Sequence, residues 1–241
     1  QPPDAHIKDL FDHYATYFDS HLVAELGYDI PARVSVELRS VMGEGAGFKR
    51  VLDLGCGTGL IGEQIRDMVS LLVGIDLSGL MVARAEKRGI YDELHVCGVA
   101  GYLSAEKRRF DLVTCADVFP YIGDLEGIFR SVRRCLNKRG LFVFSTEKTG
   151  KYPYTLRKTG RYAHAESYLS ELIDAHGFSA VTSDTVNIRT TPTLTIRTYV
   201  KGQKLVTEQP DSPKLQLLID QGEYFSASAD DVDLIQADQN L

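Results

Sequence analysis

The sequence has no Cys-x-x-Cys pair, no internal repeat, and no stretch near the ~20 apolar residues that a membrane span requires. Its four cysteines, Cys56, Cys97, Cys115 and Cys135, are therefore read as reduced thiols, which fits a cytoplasmic setting. The N-terminus lacks the apolar core of a signal peptide, and the chain starts at Gln1 rather than Met, as a processed product or an excised domain would. No metal-ligand spacing is present, so no metal site is expected. A net charge of −6 argues against a broad nucleic-acid surface, so neither nucleic acid nor membrane is expected as a partner. What is present is 241 residues at 44% hydrophobic composition, enough to bury one substantial core.

The informative stretch is Lys49 to Gly62, KRVLDLGCGTGLIG. Val51, Leu52 and Leu54 form a short apolar run of the kind found in strands buried on both faces. Gly55, Gly57 and Gly59 follow at alternate positions before a helix-compatible segment, Leu60 to Met68. Such a strand-to-helix turn lets a ligand approach the backbone and offers it unpaired N–H groups. Gly57 to Gly62 satisfies the G-x-G-x-x-G dinucleotide pattern, which keeps a nicotinamide-dependent oxidoreductase open as an alternative. A glycine turn with no ligand is the plain alternative. The wider string, an Asp at the strand end followed by Gly-Cys-Gly-Thr-Gly, resembles the first motif of class I S-adenosylmethionine-dependent methyltransferases. The resemblance implies that Asp53, Gly55, Cys56, Gly57 and Gly59 line the cofactor.

Leu71 to Asp76 reads as a second buried strand ending in a carboxylate, 17 positions after Gly59. This is near the spacing at which an acid reaches ribose hydroxyls, and an ionised carboxylate accepts two such bonds without a metal. The alternative is that Asp76 caps the following helix. GIDLSGLMVARAEKRG is similar to the family's second motif, which implies Leu77 and Met81 beside the adenine. Many relatives carry an Asp after the third strand; here Glu93 to Cys97 is followed by Gly98-Val99-Ala100, so backbone groups of Val99 and Ala100 are the candidates instead. Phe110 to Asp117 reads as the fourth strand and its exit, with Ala116 and Asp117 on the cofactor side and Tyr121 facing the reaction. Pro120 disfavours a helical Phe119, so a shaped loop is expected there.

Upstream, Phe11, Tyr14, Phe18 and Leu22 lie near one face of a helix, the spacing of packing residues. F-D-x-x-A-x-x-F-D resembles the lid helix of small-molecule methyltransferases, which implies Tyr14 and Phe18 over the cofactor. Downstream, Leu125 to Leu136 has helical periodicity with its arginines off the apolar face, and Gly140 to Glu147 is a fifth strand. Lys148 to Arg161 is basic and turn-rich, read as a substrate lid. Tyr162 and His164 precede a helix over Glu166 to Ala175, and His164 is a candidate general base, the plain alternative being a cap or surface residue. Phe178 to Ile188 and Thr193 to Val200 close the sheet.

The expected fold is α/β, a Rossmann-like, mostly parallel seven-stranded sheet with helices on both faces and an antiparallel last strand. It divides into a helical lid (1–48), a methyltransferase core (49–200) and an acidic tail (201–241) that docks poorly or folds against a partner. The family resemblance implies methyl transfer from S-adenosylmethionine to a small molecule, leaving S-adenosylhomocysteine. Tyr14, Asp117, Tyr121, Tyr162 and His164 are the candidates to position or deprotonate the acceptor. Three stretches, FDHYATYFDSHLVAELGY, ADVFPYIGDL and RYAHAESY, look like a bacterial subgroup whose methyltransferase domain often follows tetratricopeptide repeats. A non-catalytic cofactor-binding module is the remaining alternative.

Overall fold

Period-two alternation in the strands sets the two-sided core. The computed structural model describes residues 4–19, 28–42, 47–188 and 191–200, with side chains as far as residue 180. Leu52, Leu54, Val73, Ile75, Val113, Phe142 and Phe144 project to one face, packed with buried residues of three helices (Leu103, Phe129 and Leu169 among them). Val51, Leu72, Leu112, Leu141 and Val143 project to the other, against Val34, Leu38, Ile61 and Ile65. Neighbouring strand residues thus serve opposite layers, as a sheet covered on both sides requires.

In chain order the elements are α1 (Asp4–Tyr14), α2 (Ile30–Met42), β1 (Phe48–Leu54), α3 (Leu60–Ile65), β2 (Val69–Asp76), α4 (Gly79–Arg88), β3 (Glu93–Val96) and α5 (Val99–Ala105). Then come β4 (Phe110–Cys115), α6 (Glu126–Cys135), β5 (Leu136–Thr149), β6 (Tyr154–Leu156), β7 (Tyr162–Ala165), α7 (Glu166–Ala175), β8 (Phe178–Ile188) and β9 (Thr191–Val200). β3, β2, β1, β4 and β5 are parallel neighbours in that order. β9 runs antiparallel between β5 and β8 and completes seven strands of the expected kind, to which the β6–β7 hairpin adds two more. The expected fold class is therefore observed, antiparallel last strand included.

Three local expectations are corrected. The helix through Phe11 ends at Tyr14, and residues 15–17 form a turn. Leu22 lies outside the described residues, as does the tail from 201 onward. The exit from β4 contains one 3₁₀ turn, Phe119–Tyr121, with Pro120 inside it; a single turn tolerates proline where a longer helix would lack a donor. The basic stretch 148–161 is not loop throughout. β6 pairs antiparallel with β7, whose parallel contact to Glu147–Thr149 seats this hairpin at the carboxyl end of β5.

The amphipathic reading of α6 holds: Ile128, Phe129, Val132 and Cys135 are buried and Arg130 and Arg134 exposed. Phe129 lies at the centre of an aromatic core, within 5.4–6.2 Å, centroid to centroid, of Phe119, Phe142, Phe144 and Phe178. Deleting such a ring costs about 3–5 kcal/mol.

Gly62 has a packing role. A Cβ placed on it would stand 2.5 Å from the Tyr91 hydroxyl, and one on Gly74 would stand 2.7 Å from the same ring. Both glycines make room for Tyr91. Gly62→Ala should therefore displace the tyrosine and lower stability by about 1–3 kcal/mol in urea unfolding. A loss below about 0.5 kcal/mol would remove this packing role.

Candidate active site

The glycine turn leaves β1 at the carboxyl edge of the sheet. There β1 has β2 on one side and β4 on the other, the switch point where open α/β sheets bind ligands. Gly57 has φ +53°, a conformation L side chains rarely adopt. A Cβ at Gly57 would find only the Phe18 ring within 4 Å, at 3.9 Å. Its face is thus open backbone under an aromatic ring.

Asp76, at the end of β2, is fixed against this turn. Its Oδ2 accepts the Gly57 N–H at 2.9 Å, and its Oδ1 accepts the Ser78 N–H at 2.8 Å. Burial raises its pKa, opposed by these backbone hydrogen bonds. The helix cap is Ser78, whose Oγ accepts the Met81 N–H at 3.1 Å. Asp76 is therefore not the side-chain cap of α4. Leu77 is partly exposed beside it, whereas Met81 is fully buried, a correction to its expected place on the ligand face. Val99 and Ala100 form the first turn of α5, and Ala116 packs partly buried after β4.

Asp53 is likewise corrected. It is 1% exposed and faces the protein, accepting hydrogen bonds from Thr114 Oγ1 and Tyr91 Oη, both at 2.7 Å. Burial pushes its pKa to about 6 against the pull of those two donors. It supports the turn from below. Cys56 is also buried, its thiol pushed up chiefly by desolvation. No motif marks Thr114 or Tyr91; they are visible only once β4 and the 89–92 connection lie beside β1.

The N-terminal segment covers the turn. Tyr14 and Phe18 stand 4.9 Å apart, centroid to centroid, and Phe11 reaches Tyr121 at 5.2 Å. Polar contacts fix this cover. Asp19 accepts a hydrogen bond from Thr58 Oγ1 and pairs with Arg88, and Asp12 accepts from Ser78 Oγ. Arg84 donates to the Thr16 carbonyl at 3.0 Å. Phe18 lies over the Gly57 backbone with Tyr14 packed against it, and the break after Tyr14 means that one continuous helix does not present them.

On the far side, Asp117 adopts φ +58°, a strained conformation for a residue with a side chain, and its N–H donates to Ser145 Oγ at 2.9 Å. Arg161, brought in by the hairpin, donates to Glu147 at 2.5 Å and to Tyr121 Oη at 2.9 Å, and reaches Asp117 at 3.4 Å. No local sequence signal marks Arg161 or Glu147 as a pair, because their meeting needs the β5–β7 pairing. Tyr162 packs against Gly123 and Tyr154.

His164 is a core residue. It has no exposed surface; its Nδ1 is 2.6 Å from Thr146 Oγ1, and its Nε2 is 3.0 Å from each of the Ile122 and Gly123 carbonyl oxygens. Those carbonyls need a donor, so Nε2 carries the proton and Nδ1 accepts from the threonine. Desolvation lowers its pKa, keeping it neutral. The expected general base is instead a strut beneath the 119–123 turn.

This sheet order, glycine turn and carboxylate define the fold of the class I S-adenosylmethionine-dependent methyltransferases. Residues 52–144 match the family of the methyltransferase domain. The chain is 27% identical over 101 residues to the ubiquinone biosynthesis O-methyltransferase of Coxiella burnetii, covering 41% of this chain and 43% of that protein. The chain thus spans less than half the length of the curated relatives it matches. Among solved structures it is similar to the N-methyltransferase NodS of Bradyrhizobium japonicum in complex with S-adenosylhomocysteine, with TM-score 0.66, 18% identity and 81% and 98% of the two chains covered. It is also similar to the Burkholderia thailandensis 1,6-didemethyltoxoflavin-N1-methyltransferase, with TM-score 0.61, 21% identity and coverage of 83% and 91%.

The two buried titratable groups make separate predictions. Because Asp53 has a pKa raised in the folded state, the native form binds its proton more tightly than the unfolded chain. Its ionisation should remove about 3 kcal/mol of stability as pH rises from about 4 to 6. The stability of Asp53→Asn should fall less over that range in paired denaturant titrations; parallel curves would remove the effect. His164→Ala should lower stability by about 2–4 kcal/mol while leaving the pH–rate profile unshifted near neutrality. Loss of a neutral ionisation from that profile would restore the general base.

Proposed function

We propose that the chain transfers the methyl group of S-adenosylmethionine to a small-molecule acceptor and releases S-adenosylhomocysteine. The observation that carries this reading is the hydrogen bond joining Asp76 to Gly57, which makes carboxylate and glycine turn one site. The open backbone face of Gly57 fits a ligand pressed against the turn, and each Asp76 oxygen retains acceptor capacity for a ribose hydroxyl. The matched relatives and neighbours support the reading, since their printed acceptors or products are small molecules, ubiquinone and toxoflavin precursors among them.

In this proposal Asp76 holds the ribose, Leu77 and the backbone of Val99 and Ala100 flank the adenine, and Gly55, Gly57 and Gly59 pass beneath the methionine portion. When bound, the cofactor supplies a methyl group already activated by its sulfonium. The protein then needs only to hold an acceptor in line and exclude water. Tyr14 and Phe18 exclude water from above. Asp117 and Tyr121, held by Arg161, orient the acceptor, and Tyr162 and His164 support that wall from behind. The relatives and neighbours named above, all methyltransferases, favour methyl transfer over the nicotinamide alternative. Membership of the subgroup associated with tetratricopeptide repeats and a cytoplasmic location belong to the same proposal; the four free thiols support the latter. No described helix is long and apolar enough to cross a membrane.

Calorimetric titration should give micromolar binding of S-adenosylmethionine and S-adenosylhomocysteine and none of NAD. Asp76→Ala should weaken the first two by about 1–3 kcal/mol, roughly 5- to 150-fold. Binding of NAD alone would overturn the reading. Binding without turnover across a broad acceptor panel would instead make the chain a cofactor-binding module.

A further inference from the structure

The carboxyl ends of the strands carry the site, whereas the amino ends of β1, β4 and β5 carry positive charge. Lys49 and Arg50 in β1, Lys107 and Arg109 before β4, and Lys138 and Arg139 in β5 are all exposed. Asp111 ties these segments together. Its Oδ2 accepts the backbone N–H groups of Lys49 and Arg50 at 2.9 Å each, and its Oδ1 accepts from Asn137 Nδ2 at 2.7 Å. Arg109 donates to the Leu136 carbonyl at 2.8 Å, which fixes the start of β5 beside the same loop. The nearby acids Glu93 and Glu106 are engaged by Arg108. Among the described residues, no salt bridge neutralises the six cations.

The chain leaves the described fold at this edge. β9 is antiparallel to β5 with Tyr199 opposite Leu141, so Val200 ends next to the segment bearing Lys138 and Arg139. The sequence beyond it is charged in the opposite sense. Residues 208–241 contain eight carboxylates against one lysine, Lys214, which more than accounts for the chain's net charge of −6. The few residues between Val200 and Glu208 give a reach on the order of 15 Å. A segment tethered this closely has an effective concentration in the millimolar range, so individually weak ion pairs suffice.

We propose that the amino-terminal edge of the sheet is the docking surface for the chain's own acidic segment 208–241. Charge holds the segment there, on the side of the sheet remote from the glycine turn. This inference does not depend on the chemistry of the site.

Carbodiimide cross-linking of the full chain, read by peptide mass spectrometry, tests it, because the reagent joins a lysine only to a carboxylate in contact. The expected result is links from Lys49, Lys107 and Lys138 to carboxylates of 208–241 in the monomer. They should fall at least about five-fold in roughly 1 M NaCl, where the screening length is about 3 Å. They should fall similarly in the Lys138→Glu/Arg139→Glu variant, whose exposed positions leave the circular dichroism spectrum unchanged. Links spread evenly over Lys151 and Lys158 would overturn the proposal. So would links found only in cross-linked dimers, which would give the edge to a second copy. Heparin retention insensitive to neutralising the segment's carboxylates would give it to a polyanion.

Discussion

A carboxylate with no access to water lies beneath the glycine turn, and the architecture around the site is arranged to keep it there. Asp53 is on β1, Thr114 on β4, and Tyr91 in the connection between α4 and β3, so one side chain couples three separate segments. A buried charge is tolerable only when donors surround it, and the two hydroxyls meet that condition in part. Tyr91 reaches Asp53 because Gly62 and Gly74 leave its ring a slot. The glycines of this region therefore divide into those that leave backbone open, such as Gly57, and those that make room for a side chain, such as Gly62 and Gly74. A pattern match counts both kinds alike.

The two ends of the site differ in how they are held. The glycine-turn end is built from backbone: Asp76 is fixed by two amides, and the turn rests on left-handed glycines. The end opposite the glycine turn is built from long side chains, with Arg161 spanning β4 and β5 through Asp117, Glu147 and Tyr121. This division suits a fold in which one ligand is constant and the other differs between relatives. Phe11 touches Tyr121, so the N-terminal cover senses both ends.

Much of the molecule is legible in the sequence because its signals are local. The five parallel strands and the helices over residues 126–135 and 166–175 follow from periodicity and glycine punctuation within short windows. The placement of Asp76 at the end of β2 follows from the apolar run that precedes it. In the sequence Asp53 reads as a cofactor-lining residue and His164 as a candidate base or cap, because residue type says nothing of burial. What makes each a structural group is a partner distant in the chain, Tyr91 and Thr114 for the first, Thr146 and the 122–123 carbonyls for the second. Arg161 reads as one cation in a basic run, since only the β6–β7 hairpin brings it back over β5.

The placement of β9 governs how the molecule comes to be assembled. β5 finds its antiparallel neighbour about fifty residues later in the chain, with Leu141–Glu147 facing Tyr199–Thr193. During synthesis the flank of β5 over Leu141–Glu147 must wait, its amide and carbonyl groups bonded to water, until β9 emerges. Closing that loop late carries the entropy of a long-range contact and makes sheet completion a slow step. The β6–β7 hairpin made in the interval does not cover that flank, because Glu147 pairs with Ala163 on one side and with Thr193 on the other. Until β9 arrives, the nascent chain presents a sheet edge open to pairing with other chains.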